Sequence, residues 1–175
     1  MEDHPKINCG VFGTTNFEKN PIFPHIYWGI RAQNHRGHQS HGFLTYDGSF
    51  NTHRGLDLVP KIKKNEIQEW LNKLPGYTGL ANVRYTTSGG IDEQSLIKGT
   101  QPVEATCGKW KIAVSFNGNI VNTIQMKREI CKTFPDFSYE CDAELICRKL
   151  VIELAQGKDI ASSVQACMND IEGAF

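Results

Sequence analysis

A chain of 175 residues, 39% hydrophobic and 22% charged, can bury one core of ordinary size; two domains and wholesale disorder are both unexpected. Nineteen basic residues balance nineteen acidic ones, and a formal net charge of zero argues against a protein built to wrap nucleic acid or to lie on an anionic membrane. No apolar run nears the roughly 20 residues that span a bilayer, and the opening MEDHPKIN lacks the basic and apolar parts of a secretory signal, so a cytoplasmic protein is expected.

The first apolar run, INCGVFG (7–13), reads as a short strand with Cys9 inside it. Phe23, Ile26, Tyr27 and Ile30 fall at i, i+3, i+4 and i+7, one face of a helix. GFLTY (42–46) and NTHRGLDLV (51–59) flank Asp47-Gly48, a hairpin signal. Ile67, Trp70, Leu71 and Leu74 predict a second helix, which Pro75 stops. TGLANVRY (78–85) is a strand candidate that runs into a turn-rich segment, and KIAVSF (111–116) alternates with Ile112, Val114 and Phe116 on one face.

Three helices then follow. The first covers about 121–132, where Asn122 with Gln125 three residues on resembles a capping box. The second covers about 142–156, with Ala143, Ile146, Cys147, Leu150 and Leu154 on a stripe and Gly157 as the stop. The third begins after Asp159 and carries Ile160, Val164, Cys167 and Ile171. Helices grouped late, with hairpin-connected strands before them, predict an α+β fold with antiparallel sheets. The final IEGAF (171–175) reads as a strand just begun, which suggests a domain truncated at its C-terminal end.

The six cysteines, Cys9, Cys107, Cys131, Cys141, Cys147 and Cys167, form no CxxC pair. Their irregular spacing in a reducing compartment predicts mostly free, buried thiols. His35, His38 and His41 are spaced by three, but Gly37 and Gly42 disfavour a helix that would gather them, so no metal site is expected.

Four stretches combine glycine with groups that donate, accept or attack: CGVFG (9–13), NHRGHQSHG (34–42), VRYTTSGG (83–90) and FNGN (116–119). Taken singly, each has a plain reading. Cys9 could be a small core residue, Asp142 a helix N-cap, Arg84 a surface ion-pair partner and Asn117-Gly118 a hairpin turn.

In this order, however, the four stretches resemble the glutaminase domain of the class II glutamine amidotransferases, nearest to the amidophosphoribosyltransferase branch. QPV (101–103) and CDAE (141–144) extend the likeness, which runs from Cys9 to Phe175. The sequence departs from the family pattern at Phe116 and Asn82, where His is usual, and at Cys141, where Ser is usual.

The resemblance implies the four-layer αββα sandwich of the N-terminal nucleophile hydrolases and the hydrolysis of L-glutamine without a cofactor. It implies that Cys9 is the nucleophile once it is the first residue, so that Met1–Asn8 would be a propeptide and 9–175 the glutaminase domain. A terminal α-amine titrates near pH 8 and a thiol near 8.5, so the amine can serve as the base without a histidine. The resemblance further assigns Asn117 and Gly118 to the oxyanion hole, Arg84 to the substrate carboxylate, Asp142 to its ammonium and Thr87 to the lining of the same pocket. Arg36 would brace the nucleophile's strand. Ammonia would pass to a partner synthase subunit or to a domain beyond this chain, and sheet edges left by missing strands would favour oligomers. The alternative is an unprocessed, catalytically silent regulatory or assembly subunit that never frees Cys9.

Overall fold

The computed structural model describes residues 9–85 and 92–175. The chain forms β1 (Gly10–Thr15), α1 (Phe23–Arg31), β2 (Ser40–Tyr46), β3 (Phe50–Leu56), α2 (Ile67–Lys73), β4 (Thr78–Arg84) and α3 (Glu93–Lys98). It continues with β5 (Val103–Cys107), β6 (Trp110–Val114), β7 (Asn119–Ile120), α4 (Thr123–Ile130), α5 (Asp142–Ala155), α6 (Ile160–Asp170) and β8 (Gly173–Ala174). The fold is α+β, and every strand pairing among the described residues is antiparallel.

The largest sheet has the order β1-β4-β2-β3. Its hairpin, β2–β3, turns at 47–49, where the Asp47 carboxylate accepts the Ser49 amide at 3.2 Å. Strand β4 enters from far along the chain and lies between β1 and β2, so that Gly10 faces Val83 on one side and Ser40 faces Arg84 on the other. This insertion is what carries Arg84 to the neighbourhood of Cys9.

Alternation along β4 divides its residues between two faces. Ala81 and Val83 are buried with Phe43 against Phe23, Ile26, Tyr27 and Ile30, the apolar face of α1. Ile26 and Ile30 are wholly buried, and each contributes about 1.5–3 kcal/mol by leaving water. Trp70 of α2 stacks on Phe23 at 5.3 Å and closes this core from the side. The even-numbered residues of β4, among them Asn82 and Arg84, look the other way.

A second core lies between the β5–β6 hairpin and α5. Val103 and Ala105 of β5 meet Ala143, Cys147 and Val151 of α5. On its far side α5 packs on α4 and α6 through Leu145, Ile146 and Ile152, with Met126, Ile130 and Cys167 opposite. Burial from two directions widens the apolar surface of α5 beyond the single expected stripe: Leu145, Val151 and Ile152 are buried as well, while Leu150 is only half-buried.

Some local expectations are corrected. Asn122 does not complete a capping box with its own helix. Its side chain bridges to the approach to β8 instead, donating to the Asp170 carbonyl at 2.8 Å and accepting the Glu172 amide at 3.0 Å, a tertiary demand that overrides the local one. Helix α3 and strand β5 were not anticipated. The Asp92 carboxylate that accepts the Ser95 amide at the start of α3, and the alternating burial of Val103 and Ala105, are the signals that mark them. The strand expected at IEGAF is the two-residue β8, which pairs with β7. The six cysteines are free thiols.

Candidate active site

A cleft at the end of β4 is lined by Cys9, Arg84, Tyr85, Gln101, Phe116, Gly118, Cys141, Asp142 and Ala143. Of the residues singled out in the sequence, the fold therefore brings together Cys9, Arg84, Gly118 and Asp142. Arg36 touches the same centre from behind. Asn117 is next to Gly118 in the chain but is not among the lining residues. Thr87 and the Met1–Asn8 segment lie outside the described residues.

Each side chain has an identifiable holder. Cys9 immediately precedes β1 and is half-buried, with its thiol 3.7 Å from the Tyr85 carbonyl. The Arg36 Nε–H donates to the Cys9 carbonyl at 3.2 Å, from the short 3-10 turn at 34–36. Arg84, the last residue of β4, is 3% exposed and donates from Nη2 to the Glu140 carbonyl at 3.1 Å. That bond ties the end of β4 to the loop leading into α5. Asp142 is the first residue of α5 rather than its cap, a position held by Cys141. The Asp142 carboxylate instead accepts the Ile120 amide of β7 at 2.8 Å, which fixes it beside the cleft.

Gly118 is glycine for want of space. A Cβ there would sit 2.5 Å from the Phe116 ring, 2.5 Å from the Cβ of Phe175 and 2.7 Å from the Ala174 carbonyl oxygen. The segment between β6 and β7 is not a hairpin turn, because β6 pairs with β5 and β7 with β8. Phe116 is anchored by its amide, which donates to the Gln101 side-chain oxygen at 2.6 Å.

Two thiols, those of Cys9 and Cys141, line the cleft. Burial pushes the Cys141 thiol up to about 12, with the Glu144 carboxylate adding to the effect, so Cys141 stays protonated at neutral pH. Cys147 is likewise raised to about 12 and Cys167 to about 11, chiefly by burial. The cleft holds about 20 Å³, room for a water molecule. Among the described residues no group of His, Cys, Asp and Glu could hold a metal ion, and no helix is long and apolar enough to cross a membrane. His41, one of the three spaced histidines, is buried with its Nδ1 3.0 Å from the Asp57 carbonyl.

Sequence reasoning missed Tyr85, Gln101 and Cys141 as lining residues, although each sits inside or beside a stretch it had marked. Their side chains had no obvious reactive role, and only the meeting of β4, β6 and α5 reveals what they share.

No protein-family profile matches the chain. It is 32% identical over 168 residues to an amidophosphoribosyltransferase of Methanocaldococcus jannaschii, covering 95% of this chain and 34% of that protein. It is 30% identical to the protein of the same name from Methanothermobacter thermautotrophicus, covering 99% of this chain and 36% of that one. A further amidophosphoribosyltransferase, from Lacticaseibacillus casei, is 29% identical and is covered over 81% of its length. The chain thus spans about a third of the first two relatives. A solved structure of a glutamine phosphoribosylpyrophosphate amidotransferase from B. subtilis has the same fold, with a TM-score of 0.67 over 95% of this chain and 33% of that one, at 22% identity. These likenesses support a class II glutamine amidotransferase domain. Within that class the similarity is to the amidophosphoribosyltransferases.

Proposed function

We propose that this domain hydrolyses L-glutamine to glutamate and ammonia, with Cys9 as the nucleophile after removal of Met1–Asn8. The observation that carries the reading is the convergence of Cys9, Arg84, Gly118 and Asp142, drawn from four separate parts of the chain, on one cleft.

In this reading the freed α-amine of Cys9 takes the thiol proton, and the thiolate attacks the side-chain carboxamide carbon of glutamine. The Gly118 N–H and the Asn117 side-chain amide, turned into the cleft, donate to the oxyanion; removing one such donor typically costs about 2.7–4 kcal/mol of transition-state stabilisation. The ammonium of Cys9 returns the proton to the leaving nitrogen, the C–N bond breaks and ammonia departs. Water then attacks the thioester, the α-amine accepts its proton, and glutamate leaves with restoration of the thiol. At the far end of the substrate, Arg84 takes the carboxylate in a two-pronged bond and Asp142 takes the ammonium. Thr87 lines the same pocket, and Arg36 holds the Cys9 backbone.

The fuller architecture in this reading is the four-layer αββα sandwich, with α1 and α5 on the outer faces of two sheets. The ammonia is used by a synthase subunit or domain elsewhere, in the cytoplasm and in an oligomeric assembly.

The test joins the intact mass and N-terminal residue of the purified protein to a glutamate-release assay. Loss of the octapeptide together with glutamate release, abolished by Cys9→Ala in a chain that still folds, is the expected result. A chain that keeps Met1–Asn8 and releases no glutamate points to the silent subunit. Release that survives Cys9→Ala refutes the assignment of the nucleophile.

A further inference from the structure

The inner face of the four-stranded sheet, turned away from α1, carries an unusual set of polar groups. Strand register places Asn82 beside Gly42 and Gly42 beside Arg54 in one rung, and Arg84 beside Ser40 in the next rung on the same face. Asn82 and Ser40 are wholly buried. Among the described residues, neither the amide nitrogen nor the amide oxygen of Asn82 has a hydrogen-bond partner, and the Ser40 hydroxyl, the Arg54 Nε and the Ser115 hydroxyl are in the same position.

These groups share one region between the two sheets. Gly42 has no side chain because the Gln101 carbonyl lies directly above it and would collide with a Cβ. The Gln101 side chain reaches on to accept the Phe116 amide, next in the chain to Ser115. Arg54 is drawn in by its Nη2, which donates to the Pro102 carbonyl at 2.8 Å. Folded proteins leave very few buried polar atoms unpaired, and of those here only the His41 Nε2, on the opposite face of the sheet, falls outside this set. A buried primary amide offers two donors and an oxygen acceptor, while a hydroxyl both donates and accepts. Same-face diagonal neighbours on adjacent strands are about 7–8 Å apart at the backbone and nearer at their side-chain tips, a gap that one bridging molecule spans.

We infer that Asn82 and Ser40 form a binding site for ordered water that makes the rear wall of the Cys9 cleft. Gln101 and Arg84 belong to both compartments, since each lines the cleft and adjoins the inner-face rungs. The ligand is a small neutral molecule able to donate and accept at once. A cation would face the Arg54 and Arg84 guanidiniums on the same rungs, and an apolar gas would leave the polar groups all unpaired.

The experiment is a high-resolution crystal structure of the full chain together with thermal unfolding of Asn82→Leu, an apolar replacement of similar shape. Density within hydrogen-bonding distance of both the Asn82 amide and the Ser40 hydroxyl is expected. With water present, Asn82→Leu strands it and lowers the unfolding midpoint by about 3–6 °C. Were the amide simply unpaired, leucine would remove a buried polar liability and raise the midpoint. Absence of density beside an Asn82 side chain turned onto a protein group, or a raised midpoint, overturns the inference. If Asn82→Leu does not fold, the density in the unsubstituted chain decides alone. Neither readout uses glutamine, so the outcome stands apart from that of the glutaminase assay.

Discussion

The Asp142 carboxylate accepts the Ile120 amide at 2.8 Å, so a charged group of the cleft is fixed by β7 while β7 is fastened to α5. The two duties can be separated. Asp142→Asn keeps an oxygen for the Ile120 amide and loses the charge that would hold a substrate ammonium. The KM for glutamine is expected to rise about 10–100-fold, the worth of a hydrogen bond to a charged group, while the unfolding midpoint moves by less than about 2 °C. Steady-state kinetics beside a thermal melt measure both, and an unchanged KM removes Asp142 from the substrate site.

Arg36 reaches the Cys9 carbonyl at 3.2 Å through its Nε–H. Arg36→Ala loses that bond and leaves the Cys9 backbone less firmly placed, so kcat for glutamate release is expected to fall about 5–30-fold with little change in KM. Arg36→Lys recovers little of this, because an ammonium on a flexible stem does not reproduce a planar guanidinium. A drop confined to KM would show that Arg36 acts on substrate binding instead.

Gly118→Ala puts a methyl group against the Ala174 carbonyl, the Phe175 Cβ and the Phe116 ring. The ring can swing aside, but the other two atoms move only with β8. Overpacking of this kind costs about 1–3 kcal/mol, so the midpoint is expected to drop by several degrees and the Gly118 N–H to be misplaced. Glutamate release is expected to fall at least about 100-fold. Near-normal turnover would mean that this N–H does not face the oxyanion.

His53 adds a pH dependence to stability. Burial, helped by the positive charge of Lys73 and by His41, lowers its pKa from 6.5 to about 4, and burial lowers His41 in the same direction. Between those values the unfolded chain binds a proton that the folded chain refuses, so the contribution is fully present above pH 6.5 and is lost as the pH falls toward 4. Water reaches part of the His53 ring, so the loss is about 1–2 kcal/mol rather than the full shift. Melting midpoints at pH 7 and pH 5 are expected to differ by several degrees beyond the difference in His53→Phe, which cannot take up the proton. Equal differences in the two proteins would contradict this.

Local periodicity was enough for most of the helices. Ile26 and Ile30 on α1, or Ala143 and Cys147 on α5, repeat at the spacing of a helical face, and the face that repeats is the face that is buried. The hairpin at Asp47-Gly48 was equally legible, because turn chemistry acts within a few residues. The cluster of motifs from Cys9 to Asp142 also announced the kind of domain. Other features depended on long-range partners. Asn122 bonds residues near β8 instead of its own helix, and α5 is buried on two sides because β5–β6 and α4–α6 both pack on it. The cleft itself is a product of register: β4 must slide between β1 and β2, and α5 must dock beneath β5–β6, before Cys9, Arg84, Gly118 and Asp142 meet. Helical faces and tight turns are written in neighbouring residues, whereas the meeting of groups a hundred positions apart is settled by strand pairing and packing, whose free energy no short stretch contains.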